Sequence, residues 1–396
     1  MASSRKNRTL FIDEEAVSAL ALLKAGLLYP VTHLMNEAQM REVSQSKRVN
    51  GISFPFPFIF SPGGSVNESV LASATQGEVL DLIFNNEKIG DICVDEIFKI
   101  NPKERLLHMY GTDDTQHPGV ASKHTRLGNY ALSGEFNIEH KKFLLKKQKV
   151  IDAKKSIEAK KTTAIMMALN PLHRAHERLI RQTLETTDLL VIFLLKPYHT
   201  DDLQYELREK VLLYFIEHFL PKNRVLIIPL ESSYIFGGYN EIILDAIVAK
   251  NYGCNVLKIG HNHAGANIYY NRNLDNTLLK QMHGIDIALD MSSQYVYCND
   301  CTTIVSTQTC PHGKHHHTSY ASESILQLLK LGILPPAVLI RKEISSMILS
   351  HLFPNRFQNI EKIFNDLIPH TGLLESHSER DIYIELIKLH QTTSLT

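Results

Sequence analysis

Asn170-Pro171-Leu172-His173-Arg174-Ala175-His176-Glu177 stands between a strand-like run over 163–168 and a stretch of helical spacing over 173–186, which sets Ala175, Leu179 and Ile180 on one side. A second strand is predicted over 189–195, then helix 204–219, strand 224–229, helix 240–251 and strand 255–260. Strands separated by helices of this length build a parallel sheet in a doubly wound α/β domain. The octet is then a strand-to-helix turn at the carboxyl end of the first strand. Such folds take ligands there, and a helix N-terminus offers free N–H groups to phosphate. His173 and His176, three apart, share one side of the first helical turn. Both can donate hydrogen bonds to a nucleoside triphosphate and steady charge on the α-phosphorus and the departing pyrophosphate. On spacing alone, a pair of helix-start histidines with no ligand explains the motif equally well.

Before this unit, residues 1–140 hold short apolar runs broken by turn formers. Gly51-Ile52-Ser53-Phe54-Pro55-Phe56-Pro57, Ser61-Pro62-Gly63-Gly64 and His117-Pro118-Gly119 are examples, and they predict a mainly β domain with one early helix near 13–25. A lysine-rich helix over 141–161 follows, its charges read as a solvated linker face. Beyond Leu334-Pro335-Pro336 the chain is mostly helical. A chain of 396 residues exceeds one ordinary core. The expected division is an N-terminal β domain with linker helix over 1–160, an α/β domain over 161–330 and a small helical domain over 331–396.

Hydrophobic residues make up 44% and charged residues 21%, enough apolar material for a real core. Lys+Arg and Asp+Glu balance at 42 each, so no nucleic-acid or membrane-surface partner is expected and any anion site must be local. The longest apolar run, 189–195, is far short of the ~20 residues that span a bilayer. Arg5, Lys6 and Arg8 precede Asp13, Glu14 and Glu15, and Lys24 interrupts the next apolar stretch, which argues against a signal peptide.

Three of the five cysteines fall within 298–310. That crowding points to a metal site in a reducing, cytoplasmic compartment rather than to disulfides. Cys298-x-x-Cys301 with Cys310 and a histidine can supply three thiolates and one imidazole to tetrahedral Zn2+. Among His312, His315, His316 and His317, His315 is favoured as fourth ligand because four intervening residues let the chain turn back. His312 is the runner-up, with Pro311 making so tight a return harder. Four protein ligands leave no open position, so the zinc is structural.

The octet resembles the Asn-Pro-(Met)-His-Arg-Ala-His-Glu signature of the sulfate adenylyltransferase (ATP sulfurylase) family. Lys250-Asn251-Tyr252-Gly253-Cys254 through Gly260-His261-Asn262-His263-Ala264-Gly265 is similar to that family's Lys-Asn-Tyr-Gly-Cys … Gly-Arg-Asp-His-Ala-Gly. Collinear matches include Leu28-Tyr29-Pro30, Met35-Asn36-Glu37, Gly111-Thr112-Asp113, His117-Pro118-Gly119-Val120, Gly332, Pro335 and Pro336, so the resemblance covers about residues 20–350. The cysteine spacing resembles the zinc-containing bacterial branch. The resemblance implies a PUA-like β domain and an adenylyltransferase α/β domain. It also implies a reaction: a sulfate oxygen attacks the α-phosphorus of Mg2+-bound ATP, giving adenosine 5′-phosphosulfate and pyrophosphate. By the same resemblance, Asn170, Pro171, His173 and His176 hold the nucleotide, with His173, Arg174 and His176 catalytic. Gly260, His261, His263 and Ala264 border the nucleotide, and Met167, Leu169, His261 and Ala264 the acceptor. The partners implied are ATP and a small oxyanion, and the chain is open to assembly as a homo-oligomer.

The departures from the family pattern cluster at the acceptor. Gln-x-Arg-Asn-Pro reads Met167-Ala168-Leu169-Asn170-Pro171. Met-Arg-Tyr-Ala-Gly-Pro-Arg-Glu reads Tyr234-Ile235-Phe236-Gly237-Gly238-Tyr239-Asn240-Glu241. His261 replaces an arginine, and Ser-Gly-Thr-Lys-Val-Arg reads Ala321-Ser322-Glu323-Ser324-Ile325-Leu326. A charge-assisted hydrogen bond contributes about 1.5–3 kcal/mol. Losing two from a sulfate pocket would cost roughly 3–6 kcal/mol, or about two to four powers of ten. The sequence thus keeps three outcomes open: sulfate activation, transfer to a less charged acceptor, or nucleotide binding without catalysis.

Overall fold

In the computed structural model, residues 7–196, 202–231, 237–261, 263–265, 282–368 and 376–390 are described. Arg5, Lys6, Tyr234, Ile235, Phe236 and Asn262 lie outside the described residues.

The N-terminal strands are β1 (Arg8–Phe11), β2 (Arg48–Val49), β3 (Ile52–Ser53), β4 (Phe60–Pro62), β5 (Val79–Phe84), β6 (Glu87–Lys99) and β7 (Leu127–Ile138). β2 and β3 form a small antiparallel pair, and the others form a sheet of order β1-β5-β6-β7-β4. Apolar alternation turns Leu80, Leu82, Ile92, Val94 and Leu132 inward, all at most 2% exposed. Where the register of β6 and β7 shifts after Val94, Gly134 sits at φ +157°, and a Cβ there would lie 1.9 Å from the Cys93 carbonyl oxygen. Only glycine fits so close an approach. The early helix is Glu14–Lys24, capped by the Asp13 carboxylate, which accepts from the Ala16 N–H.

The second sheet comprises β8 (Thr162–Met167), β9 (Leu189–Lys196), β10 (Val225–Glu231), β11 (Val256–Ile259) and β12 (Ala288–Met291), in the order β10-β9-β8-β11-β12. β11 pairs in parallel with both β8 and β12. Residues 189–194 are each at most 1% exposed, as a strand covered on both faces requires. Chain order reverses between β8 and β11, so the topological switch of the sheet lies there.

The chain separates into two compact units with interleaved segments. One holds Met1–Met166, Asp188–Leu195 and Leu226–Met291, and the other Met167–Thr187, Lys196–Val225 and Ser292–Thr396. In the first unit one continuous core runs from Leu10 and Phe54 through Phe143 to Phe193, Tyr252 and Leu257. The second unit carries the helices Arg174–Glu185, Tyr205–Phe219, Ser322–Lys330, Lys342–Leu352, Ile360–Leu367 and Glu379–His390. It also holds a small antiparallel sheet of β13 (Tyr295–Cys298), β14 (Thr303–Ser306) and β15 (His317–Ser319), with β13 central. The C-terminal part is helical, as expected. No helix among the described residues is long and apolar enough to cross a membrane.

The lysine-rich helix, Lys141–Ser156, is more than a solvated face. Phe143 and Val150 are fully buried, and the Lys154 ammonium donates to the Gly253 carbonyl at 2.6 Å. The Lys146 ammonium lies 2.9 Å from the Glu231 carboxylate, which is 3% exposed, and Lys142 is at 3.5 Å. Burial raises the Glu231 pKa and the two lysines more than reverse that, leaving it below the usual carboxylate range. Lys146→Met leaves that carboxylate buried beside only the outer lysine. It should lower the unfolding free energy by about 3 kcal/mol in urea titrations at pH 7. A loss below about 0.5 kcal/mol would mean that the pair behaves as a surface ion pair.

Candidate functional site

The turn that leaves β8 is built from buried side chains. Met167 is 5% and Leu169 2% exposed, and Leu169 adopts φ +51°, an uncommon setting for a branched residue. Two interactions within the second unit hold it. Arg208 is 1% exposed and donates to the carbonyls of Ala168 at 2.5 Å and Leu203 at 2.9 Å. The Asn170 amide donates to Asp202 at 2.5 Å, and its oxygen accepts from the Leu203 N–H at 3.0 Å. An asparagine NH2 has two hydrogens, so one remains for a ligand.

His173, extended at φ −132°, caps the helix Arg174–Glu185. Its ring stacks on that of His176, centroids 3.6 Å apart and planes 15° apart, and on Tyr320 at 5.5 Å. The His173 N–H donates to His176 Nδ1 at 3.4 Å, so the proton of a neutral His176 sits on Nε2, which is a donor. His173 Nε2 and Ser322 Oγ are 3.0 Å apart. Burial holds His176 down to about 4, and burial followed by the neighbouring His176 holds His173 well below the ordinary histidine value. Both rings are therefore neutral at pH 7 and present N–H dipoles rather than charge.

Arg174 points elsewhere. Its guanidinium donates to the Ala337 carbonyl at 3.0 Å and to Glu177 at 3.2 Å, while its N–H donates to the Leu339 carbonyl at 2.9 Å. Glu177 is 4% exposed and is gripped by Arg341 through two hydrogen bonds, of 2.6 and 3.1 Å. The sequence assigns no role to Ser322 or Arg341, and Glu177 enters it only as the last residue of the octet, because the contacts that matter are not local. Their partners lie 149 and 164 residues away.

In the first unit β11 runs into Gly260 and the half-buried His261, and Ala264 takes φ +53°. His263 Nε2 lies 2.7 Å from the Asp245 carboxylate, both side chains at most 10% exposed. Asn240, at an arginine position of the family pattern, spends both amide hydrogens on the carbonyls of His108 (3.0 Å) and Met109 (2.8 Å). Leu326 is 7% exposed. Neither Asn240 nor Leu326 offers a charge.

The cysteine cluster corrects the sequence reading in one residue. Cys298, Cys301, Cys310 and His312, not His315, bring their ligand atoms together. His312 Nδ1 lies 3.4, 3.3 and 3.6 Å from the sulfurs of Cys298, Cys301 and Cys310, and Cys301 and Cys310 are 3.8 Å apart. Zn–S bonds of about 2.3 Å and Zn–N bonds of about 2.0 Å imply tetrahedral edges of roughly 3.8 Å between sulfurs and 3.5 Å from sulfur to nitrogen. The residues fit. The tight return across Pro311 succeeds because Nδ1, the ring nitrogen nearer the backbone, makes the approach. His315 is exposed, its ring tilted 49° against that of His316 at 4.0 Å and lying over Gly313, where a Cβ would meet its ring at 2.7 Å. His317 Nε2 supports the Cys310 sulfur at 3.4 Å, and His316 pairs with Asp300 at 2.9 Å.

A family model described as ATP-sulfurylase matches residues 141–351, and one described as PUA-like domain matches residues 1–141. The sulfate adenylyltransferase of Chloroflexus aurantiacus (strain J-10-fl) is 27% identical over 348 residues, 86% of this chain and 90% of that protein. That of Trichormus variabilis is 27% identical, covering 85% and 87%, and that of Cenarchaeum symbiosum 24%, covering 87% and 92%. A solved structure titled hexameric APS kinase from Thiobacillus denitrificans superposes with a TM-score of 0.65 at 18% identity, covering 89% of this chain. The chain spans 64% of that protein's length, and the likeness is one of fold.

The neutral histidines set a pH dependence. In the unfolded chain they titrate near about 6.5, so below that pH the unfolded state binds more protons than the folded one. Stability should be intact above about pH 6.5 and fall as the pH drops toward 4. Replacing His173 and His176 by Gln should flatten this slope in denaturation series between pH 7 and 4.5. An unchanged slope would show that the rings are not buried as described.

Proposed function

The chain belongs to the ATP-sulfurylase family, and on that premise we propose that it transfers the adenylyl group of Mg2+-bound ATP to an oxyanion, with sulfate as acceptor. The observation that carries this reading is the stacked His173–His176 pair at a helix start. An acceptor oxygen bonds to the α-phosphorus while the bond to the bridging oxygen breaks and pyrophosphate leaves. No covalent enzyme intermediate is needed. His176 Nε2–H and the remaining amide hydrogen of Asn170 donate to phosphate oxygens. Both are fixed before ATP arrives, so little reorganisation accompanies charge movement. Arg174 acts indirectly, as the brace that orients the helix start. Zn2+ held by Cys298, Cys301, Cys310 and His312 serves as a structural clamp that neutralises thiolates and closes the 298–312 loop.

A second reading, an acceptor less charged than sulfate, is favoured by the same positions that lack arginine. Buried Met167 and Leu169 cannot hydrogen-bond an oxyanion, and the Asn240 amide is already occupied.

Three measurements test these assignments. Mg2+–ATP should raise the melting temperature, and His173→Ala with His176→Ala should abolish most of the rise. No shift in the parent protein ends the adenylyltransferase reading. Sulfate-dependent pyrophosphate release should be weaker than in the family's arginine-bearing members by about two powers of ten or more. Equal rates would mean that some other group binds sulfate. Freshly purified protein should carry about one zinc per chain, lost with several degrees of melting temperature in Cys301→Ser and His312→Ala but kept in His315→Ala.

A further inference from the structure

The three sulfurs of the cysteine cluster are not equally protected. Cys298, at the end of β13, is fully buried, and its sulfur accepts the Cys301 N–H at 3.5 Å. Cys310 is half-buried, and His317 Nε2 lies 3.4 Å from its sulfur. A metal-bound thiolate has no proton to give, so the ring proton of His317 belongs on Nε2. Strand pairing fixes this approach. His317 stands directly opposite Cys298 in the β13–β15 ladder, and residues so paired share one face of the sheet. Cys301 is also half-buried, in a turn between the exposed residues Asp300 and Thr302. Its sulfur meets Cys310 Sγ at 3.8 Å and His312 Nδ1 at 3.3 Å, both members of the ligand set. Among the described residues, no N–H from outside that set reaches it.

Three thiolates around Zn2+ leave one negative charge in excess, and the thiolate is the form of cysteine that attacks electrophiles. A hydrogen bond donated to a sulfur engages the lone pair that such an attack needs. Burial covers Cys298 and the His317 N–H quiets Cys310, whereas Cys301 has neither protection. We infer that Cys301 is a modification site for neutral soft electrophiles of the α,β-unsaturated carbonyl class, and that His317 shields Cys310 from the same reagents. The inference rests on the reading of the cluster as a zinc site and goes beyond it. The Cys301 sulfur bonds to the β-carbon of the reagent and gives up its bond to the metal. The α-carbon takes a proton from water, leaving hydroxide. With one of four ligands gone, the metal is released and the 298–312 loop opens.

Timed labelling of the full-length, zinc-loaded protein with N-ethylmaleimide tests this. Peptide mass spectrometry reads each cysteine, and a chromogenic chelator reads the zinc set free. Exposed Cys93 supplies the reference rate and buried Cys254 the blank. Within the cluster Cys301 should be labelled first, with zinc appearing at the same rate. His317→Phe removes the N–H and should raise Cys310 labelling about ten-fold, the weight of one hydrogen bond to a charged group. His317→Gln keeps an N–H and should stay close to the parent. Labelling of Cys298 or Cys310 ahead of Cys301 overturns the inference, as does an unchanged Cys310 rate in His317→Phe. So does zinc release at a rate independent of the reagent, which would mean that the metal leaves before the sulfur reacts. The order in the parent protein decides the assignment of Cys301 even where the phenylalanine variant does not fold. A parent protein that binds no zinc ends the zinc reading and this inference with it, whereas bound zinc with another order of labelling ends the inference alone.

Discussion

The histidine turn depends on one buried carboxylate. Glu177 is held by Arg341 in a two-pronged grip and by Arg174 from its own helix. Arg341 in turn sits over Phe219, its Cζ 3.9 Å from the ring centre. Glu177 lies one turn into the helix that begins after His173, so the same ion cluster that anchors residues 337–341 also fixes where that helix starts. A buried charge of this kind stabilises only when all its partners are present. Its consequence here is registry: the helix start cannot rotate without breaking the cluster.

That rigidity gives the neutral imidazoles their meaning. A protonated histidine would attract phosphate more strongly, but desolvation makes a cation expensive at this depth. Under the proposed reaction the pair offers oriented N–H dipoles, whose contribution grows as water is excluded and which need no rearrangement when charge shifts toward pyrophosphate. The stacking of His173 on His176 and Tyr320, with Ser322 at the outer nitrogen, leaves the rings little rotational freedom.

The acceptor positions show the opposite tendency. Where the family pattern places arginines, this chain has a buried leucine in a left-handed turn, an asparagine that ties two helices together and a leucine inside a helix core. Each has been absorbed into packing. Apolar burial at Leu169 and Leu326 stabilises the chain by about 1.5–3 kcal/mol per side chain. The same substitutions remove the donors that a divalent anion requires.

The alternation of apolar runs and helical spacing determined the α/β sheet, because a strand buried on both faces must be continuously apolar and its crossover helix must be amphipathic. The Asn170–His176 order and the Cys298-x-x-Cys301 knuckle were likewise legible, since their chemistry depends on neighbours a turn apart. Tertiary structure alone decided that Arg174 meets the Ala337 carbonyl and Glu177, that Ser322 meets His173 across 149 residues and that Arg341 reaches Glu177 across 164. It also decided that Asp245 meets His263, and that lysines of a charged helix hold Glu231. The choice of His312 over His315 belongs with these. Spacing bounds how far a chain can turn back, but which ring nitrogen makes the approach depends on the backbone around Pro311 and on what else packs there. Local pattern carries the periodicity of burial and the reach of a turn, whereas the partner of a buried charge is set by which distant segment fills the space beside it.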